Sequence, residues 1–203
     1  IQAVGASGSL VAPVGDPSYK ALVLLWPDAD NYPEGGEIDF MESPPHDLYP
    51  VLKQDPNVRL VVANPLGNQY TFRFNVLHKP FDNPKVRQAL FYAFNQEDFL
   101  KAVIGDAEYY KTCKAMFICG MPLASEAGMD GLLTSNVDKA KALLKEANYD
   151  GTPVVLMHST DLQVLTNLAP VAKSLMEKAG FKVDMVSMDW QTLVARRAKK
   201  DAP

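Results

Sequence analysis

No apolar run in this 203-residue chain approaches the roughly 20 residues that a bilayer-crossing helix needs, so no membrane-spanning helix is expected. An excess of positive charge is missing too. Lys and Arg number 20 against 24 Asp and Glu, giving a net charge of -4, so neither a phosphate backbone nor an anionic lipid surface is a default partner and no nucleic acid is expected. Histidine is scarce. His46, His78 and His158 are too scattered for a metal cluster and read as surface or turn residues. Cysteine amounts to Cys113 and Cys119, in CKAMFIC, and two thiols do not make the four-ligand set of structural zinc, so no metal site is expected. They are either a short-loop disulfide or a pair of buried thiols. There is no GxSxG, no phosphate-binding glycine loop and no CxxC, which removes familiar nucleophile, nucleotide and redox signatures; no cofactor is expected. The opening IQAVGASGSLVAPVGDP has no basic segment followed by a long apolar one, so it does not read as a secretory signal.

What is present is an ordinary globular composition, 47% hydrophobic and 22% charged. Residues 1–20, rich in Gly, Ser, Ala and Pro, read as an edge segment, and YKALVLLW as a buried strand. EIDFME alternates Ile38 and Phe40 with acidic neighbours, the period of a half-buried strand. HDLYPVLKQ suits one or two helical turns with Asp47 as cap, and VRLVVAN and QYTFRFNVL read as strands separated by PLGN. Asn83 and Pro84 then supply an N-cap and a first helical residue, with Val86, Ala89, Leu90, Ala93 and Phe94 as the apolar stripe.

Asn95 caps a second helix running to Gly105. Residues 107–134 form a long loop holding both cysteines. Ser135 and Asp138 bracket the start of VDKAKALLKEANY, whose Ala140, Leu143, Leu144 and Ala147 face inward. The last third alternates strand TPVVLM, helix VLTNLAPVAKSLMEKAG with a kink or late start at Pro170, strand KVDMVSM and helix WQTLVARRAKK. Strand and helix alternating through short connections predict an α/β fold with a mainly parallel sheet flanked by helices. The basic run ARRAKK reads as the solvated C-terminal end of a helix.

Several of these pieces occur in an order that resembles the dipeptide and oligopeptide solute-binding proteins of ABC importers: GEIDFMESPPHDLYPVLKQDPNV, then TFRFN and PFDNPKVRQAL, then VDKAKALLKEANYDG, and AGFKVDMVSMDW. The match covers most of residues 35–203, with residues 1–35 fitting less well. The resemblance implies a periplasmic-binding-protein-like fold, with residues 1–75 in a first lobe, residues 76–203 in a second, and a hinge crossing at Asn75 to Lys79. It implies a peptide or similar small solute held between lobes, hinge closure, delivery to a membrane permease, and a periplasmic or extracellular location. Opine, sugar and metal-chelate ligands stay open. Export in turn favours the disulfide between Cys113 and Cys119. Such relatives are much longer, so this chain is read as a fragment.

Ligand contact is expected where strand TPVVLM ends, at Ser159, Thr160 and Asp161. Relatives often place a cation there to meet a carboxylate; Asp161 suits an amine or a hydroxyl instead, but an Asp just before a helix is first expected to cap that helix and only second to touch ligand. Phe117 and Met121 could wall the cleft or fill core beneath the loop. Trp190 could pack or stack on ligand.

A second resemblance competes. Glu37, Asp39 and Glu42 in EIDFME look like the acidic motif of laminarinase and lichenase type glycoside hydrolases, where they would be nucleophile, tuning residue and acid/base. Retaining chemistry needs the two carboxyl groups about 5 to 5.5 Å apart. That enzyme fold is an antiparallel sandwich, whereas residues from Pro84 onward alternate helix and strand, so binding without catalysis is the expected function.

Overall fold

The computed structural model describes residues 46–56, 58–62, 66–67 and 69–199. It divides the chain into two units, Ile1–Asn68 and Gln69–Pro203. In the first, a 3-10 turn at His46–Leu48 runs into α1, Tyr49–Leu52, with Pro50 in its first turn. Helical backbone starts at His46, so Asp47 lies inside the turn it was expected to precede. Leu52 is buried against Leu48, Tyr49, Val58 and Leu60. Of the expected strand VRLVVAN, Arg59 makes an isolated β-bridge and the rest of 58–62 lies in no regular element, while residues 63–64 lie outside the described residues.

The second unit is built from helices α2 (Pro84–Ala93), α3 (Gln96–Val103) and α4 (Val137–Glu146), then strand β1 (Val154–Ser159), helices α5 (Gln163–Thr166) and α6 (Leu168–Lys178), strand β2 (Val183–Met188) and helix α7 (Trp190–Arg197). β1 and β2 pair in parallel, in register from Val154 opposite Val183 to Ser159 opposite Met188. A parallel pair needs a crossover connection, and α5 with α6 supplies it. The α/β reading holds.

The caps of α2 and α3 behave as local chemistry dictates, and that of α4 is shifted by one residue. The Asn83 side chain accepts the Lys85 N–H ahead of Pro84, and Asn95 accepts the Glu97 N–H. At α4 the cap is Asn136, which accepts the Lys139 N–H at 3.0 Å, and not Ser135. Ser135 sits at φ 59, a left-handed turn position from which it cannot enter the helix as an N-cap. The long helix foreseen before Gly180 is two pieces broken at Asn167, with Pro170 in the first turn of the second.

The core is the predicted stripes brought together: Val86, Ala89, Leu90 and Ala93 of α2, Ala140, Leu143 and Leu144 of α4, Ala172, Leu175 and Met176 of α6, and Val154 and Leu156 of β1. Through it runs an aromatic seam. Ring centroids step from Phe99 to Phe94 (5.0 Å), Phe72 (5.3 Å), Phe74 (5.6 Å), Phe81 (4.9 Å), Phe181 (6.5 Å) and Tyr149 (5.7 Å). Such pairs add about 0.5 to 1.5 kcal/mol each beyond burial.

Of residues 69–77, expected as a strand, 69–75 lie in no regular element and pair with no strand among the described residues, and 76–77 already belong to a turn. Phe72 and Phe74 are half-buried on the core while Thr71, Arg73 and Asn75 are exposed, so the strand's two-residue period is present without a neighbour to ladder with. At Asn75 the side chain accepts the Leu77 N–H at 3.1 Å, a local turn within the second unit.

Candidate functional site

β1 and β2 point the same way, so their C-terminal ends lie at one edge of the sheet, and the turns leaving them lie side by side. The first turn carries Ser159, Thr160 and Asp161; the second carries Asp189 and Trp190. Thr160 donates its N–H to the Met188 carbonyl at 3.1 Å and its hydroxyl to the same carbonyl at 3.4 Å. Ser159, only 2% exposed, donates its hydroxyl to Asp161 Oδ1 at 3.0 Å. The same oxygen accepts the Trp190 N–H at 2.8 Å.

Asp161 therefore does not cap its own helix. α5 begins after Leu162, which makes no side-chain cap, and the carboxylate reaches across to the first residue of α7. The Asp189 carboxylate takes the Thr192 N–H at 2.9 Å. Bonds from the Thr192 hydroxyl and N–H hold the Asp189 carboxyl below its ordinary range. Two carboxylates thus occupy the N–H groups by which α7 could hold an anion. Asp161 and Thr160 remain exposed, and among the described residues no ion pair involves Asp161. The edge is hydroxyl-lined and acidic, chemistry that accepts hydrogen bonds from an ammonium or a hydroxyl.

Trp190 is half-buried, with the Arg197 guanidinium 5.9 Å from its ring centroid. Four of the six residues expected to touch ligand are thus collected at one edge. Phe117 and Met121 belong elsewhere, Phe117 inside the loop closed by the Cys113–Cys119 disulfide, whose Cα atoms are 5.8 Å apart, and Met121 two residues beyond it. At 52% and 46% exposure they do not fill core. Met116 and Leu123 beside them are exposed as well. The loop is anchored at its start: Gln96 both donates to the Cys113 carbonyl (2.7 Å) and accepts the Cys113 N–H (2.8 Å), and Gln69 donates to the Ala115 carbonyl (3.0 Å). Glu126 accepts the Lys114 N–H at 2.9 Å and lies 3.6 Å from Cys119 Sγ. With both sulfurs committed to each other, this trio is not a metal ligand set.

Sequence reasoning missed His158. Read as a surface or turn residue, it is buried in β1 at 9% exposure, its Nδ1 3.0 Å from Ser187 Oγ and its Nε2 2.9 Å from the Thr166 carbonyl. The available signal was its place in the alternation Val154, Leu156, His158, an inward position on a strand. Glu37, Asp39 and Glu42 lie outside the described residues.

Comparison with known proteins decides the family. Residues 28–203 match the family described as bacterial extracellular solute-binding proteins, family 5, middle portion. The chain belongs to this family. It is 35% identical over 168 residues to "Probable peptide ABC transporter periplasmic-binding protein y4tO" of Sinorhizobium fredii, an alignment covering 82% of this chain and 32% of that protein. It is 30% identical over 180 residues to the glutathione-binding protein GsiB of Salmonella choleraesuis, covering 87% of this chain and 32% of the relative. The chain thus spans about a third of the length of these relatives.

Among solved structures, AgaA of A. tumefaciens R10 in complex with agropinic acid matches at TM-score 0.53 and 28% identity, over 61% of this chain and 25% of that one. The ABC transporter substrate-binding protein CtaP of Listeria monocytogenes matches at TM-score 0.57 and 21% identity, over 64% and 26%, which shows the shared fold. The hydrolase resemblance gains no support from these comparisons, and the parallel β1–β2 pair between helices is unlike an antiparallel sandwich.

Proposed function

We propose that this chain is part of the substrate-binding component of an ABC importer, which captures a peptide or similar small solute outside the cytoplasm and delivers it to a membrane permease without turning it over. The observation that carries this reading is the family match over residues 28–203, joined to 35% identity with a relative named for peptide transport. The absence, among the described residues, of any helix long and apolar enough to cross a membrane is consistent with it.

Within the chain, ligand contact is assigned to Ser159, Thr160 and Asp161, with Trp190 beside them, and a second, apolar contact to Phe117 and Met121. Ligands of open parallel sheets lie beyond the carboxyl ends of the strands, and Ser159, Thr160 and Asp161 sit at that end of β1 while Trp190 follows β2. Asp161 favours the ammonium or hydroxyl of a ligand over its carboxylate. Lobes divide near Asn75, with the crossing at Asn75 to Lys79.

Thermal unfolding with a panel of di- and tripeptides, glutathione and a β-glucan tests the reading, because a ligand that binds only the folded state raises the midpoint. A concentration-dependent rise with one or more peptides is expected. A rise with the glucan alone, accompanied by its cleavage, contradicts it.

A further inference from the structure

The carbonyl of Thr166 is left without its helical partner by the sequence itself. In a continuous helix it would accept the N–H of residue 170, but residue 170 is proline and has none. The chain breaks there into α5 and α6 at Asn167. A carbonyl at a helix end that lacks its helical donor needs another, and a buried one stands by: His158 Nε2, 2.9 Å away. A carbonyl only accepts, so the proton sits on Nε2, and in the neutral ring Nδ1 accepts from the Ser187 hydroxyl at 3.0 Å. One side chain on β1 thereby holds β2 on one side and the end of α5 on the other.

Between His158 and Thr166 lies the turn at Ser159, Thr160 and Asp161. We propose that His158 is a positioning residue for this turn: by donating to the carbonyl that Pro170 orphans, it fixes the α5–α6 break to the sheet and so sets where Ser159, Thr160 and Asp161 stand. The turn is then held at both ends, by His158 to Thr166 behind it and by Asp161 to Trp190 and Thr160 to Met188 in front. Asn167 adds a third tie, donating to the Ala102 carbonyl at the end of α3 at 3.0 Å. A ligand arriving at such a turn has little ordering left to do, which is where preorganised sites gain affinity. The functional half of this proposal rests on the reading of the turn as a ligand contact.

The test uses the chain with His158→Phe, which fills the space but cannot donate, His158→Gln, whose amide can still reach the Thr166 carbonyl, and Pro170→Ala, which returns to that carbonyl an N–H of its own. Amide exchange is read at Thr160, Leu165, Thr166 and Trp190, against amides of α2 and α4 as internal controls. His158→Phe is expected to speed exchange at the four turn-region amides by about tenfold or more while the controls hold, the size expected from losing one buried hydrogen bond. His158→Gln is expected to stay within about threefold of wild type, and Pro170→Ala to restore much of the protection in the His158→Phe background.

Uniform loss across turn and controls overturns the proposal, because a residue that only fills core would behave in that way. So does a loss in His158→Gln as large as that in His158→Phe, with no recovery through Pro170→Ala. With glutathione as probe, affinity should fall about tenfold in His158→Phe and recover in His158→Gln. If wild-type protein binds no peptide while the exchange pattern is as expected, the binding reading fails and the positioning role stands. If peptides bind and the turn amides do not respond, the positioning role fails and the binding reading stands.

Discussion

Asp161 and Trp190 are joined by a 2.8 Å hydrogen bond in which a carboxylate at the end of one strand accepts the first N–H of the helix that follows the other. An Asp just before a helical pattern normally serves that helix. Here its service is to a neighbour 29 residues away, made possible because parallel strands deliver their C-terminal ends to the same edge. The bond binds the two turns into a single surface.

Replacing Asp161 by Asn separates charge from geometry. The amide oxygen can still accept from Ser159 and Trp190, so the thermal midpoint should move little, and near-native Trp190 fluorescence in a Trp26→Phe background checks that the turn is intact. Asp161→Ala removes the acceptor and leaves the Ser159 hydroxyl, on a residue 2% exposed, without its partner; a loss of about 1 to 3 kcal/mol in denaturant unfolding is expected.

Leu90 is 1% exposed at the centre of the α2 stripe. Leu90→Ala should cost about 2 to 5 kcal/mol, since the aromatic seam and two helices around it can relax only in part. Urea unfolding with an unchanged slope checks this.

How much of this was open to reading from sequence follows from the range of the interactions. The α2 and α3 caps at Asn83 and Asn95, the Pro84 start, the inward stripes of α2 and α4 and the alternation that gives parallel strands are all local, and each is where the pattern placed it. The Asp161 to Trp190 bond, the two bonds of His158 and the seam joining Phe72 to Phe181 depend on segments far apart in the chain. The run at residues 69–75 shows the limit from the other side: its period-two burial is real, but pairing needs a partner that no local pattern specifies. The Asn136 cap was missed by one residue because Ser135 is equally good capping chemistry and only its backbone, at φ 59, disqualifies it.

Acid should weaken the fold through Asp150 and Asp189. Both carboxyls are held below their ordinary value of 3.8, Asp150 by the Thr152 hydroxyl and N–H and Asp189 by those of Thr192. A depressed folded value means stability that is fully present above the unfolded value and is lost as pH falls through the folded one. Unfolding midpoints should therefore drop below about pH 4, and Asp189→Asn, which can cap without titrating, should show a shallower acid loss.

The loop of Cys113 and Cys119 should take up no alkylating agent in denaturant until reductant is added, then two equivalents, as counted by mass spectrometry. Replacing both by Ser should cost about 2 kcal/mol or less, because the closed loop is short. Faster amide exchange is expected at Cys113 and Lys114, where Gln96 and Glu126 anchor the loop.

The central claim, that this edge of the sheet receives a solute group through Asp161, is tested most directly by calorimetric titration of the wild-type chain and Asp161→Asn with the peptide that most raises the thermal midpoint. Loss of one charge-assisted hydrogen bond should weaken binding about tenfold or more with folding intact. Equal affinity in the two proteins would contradict it.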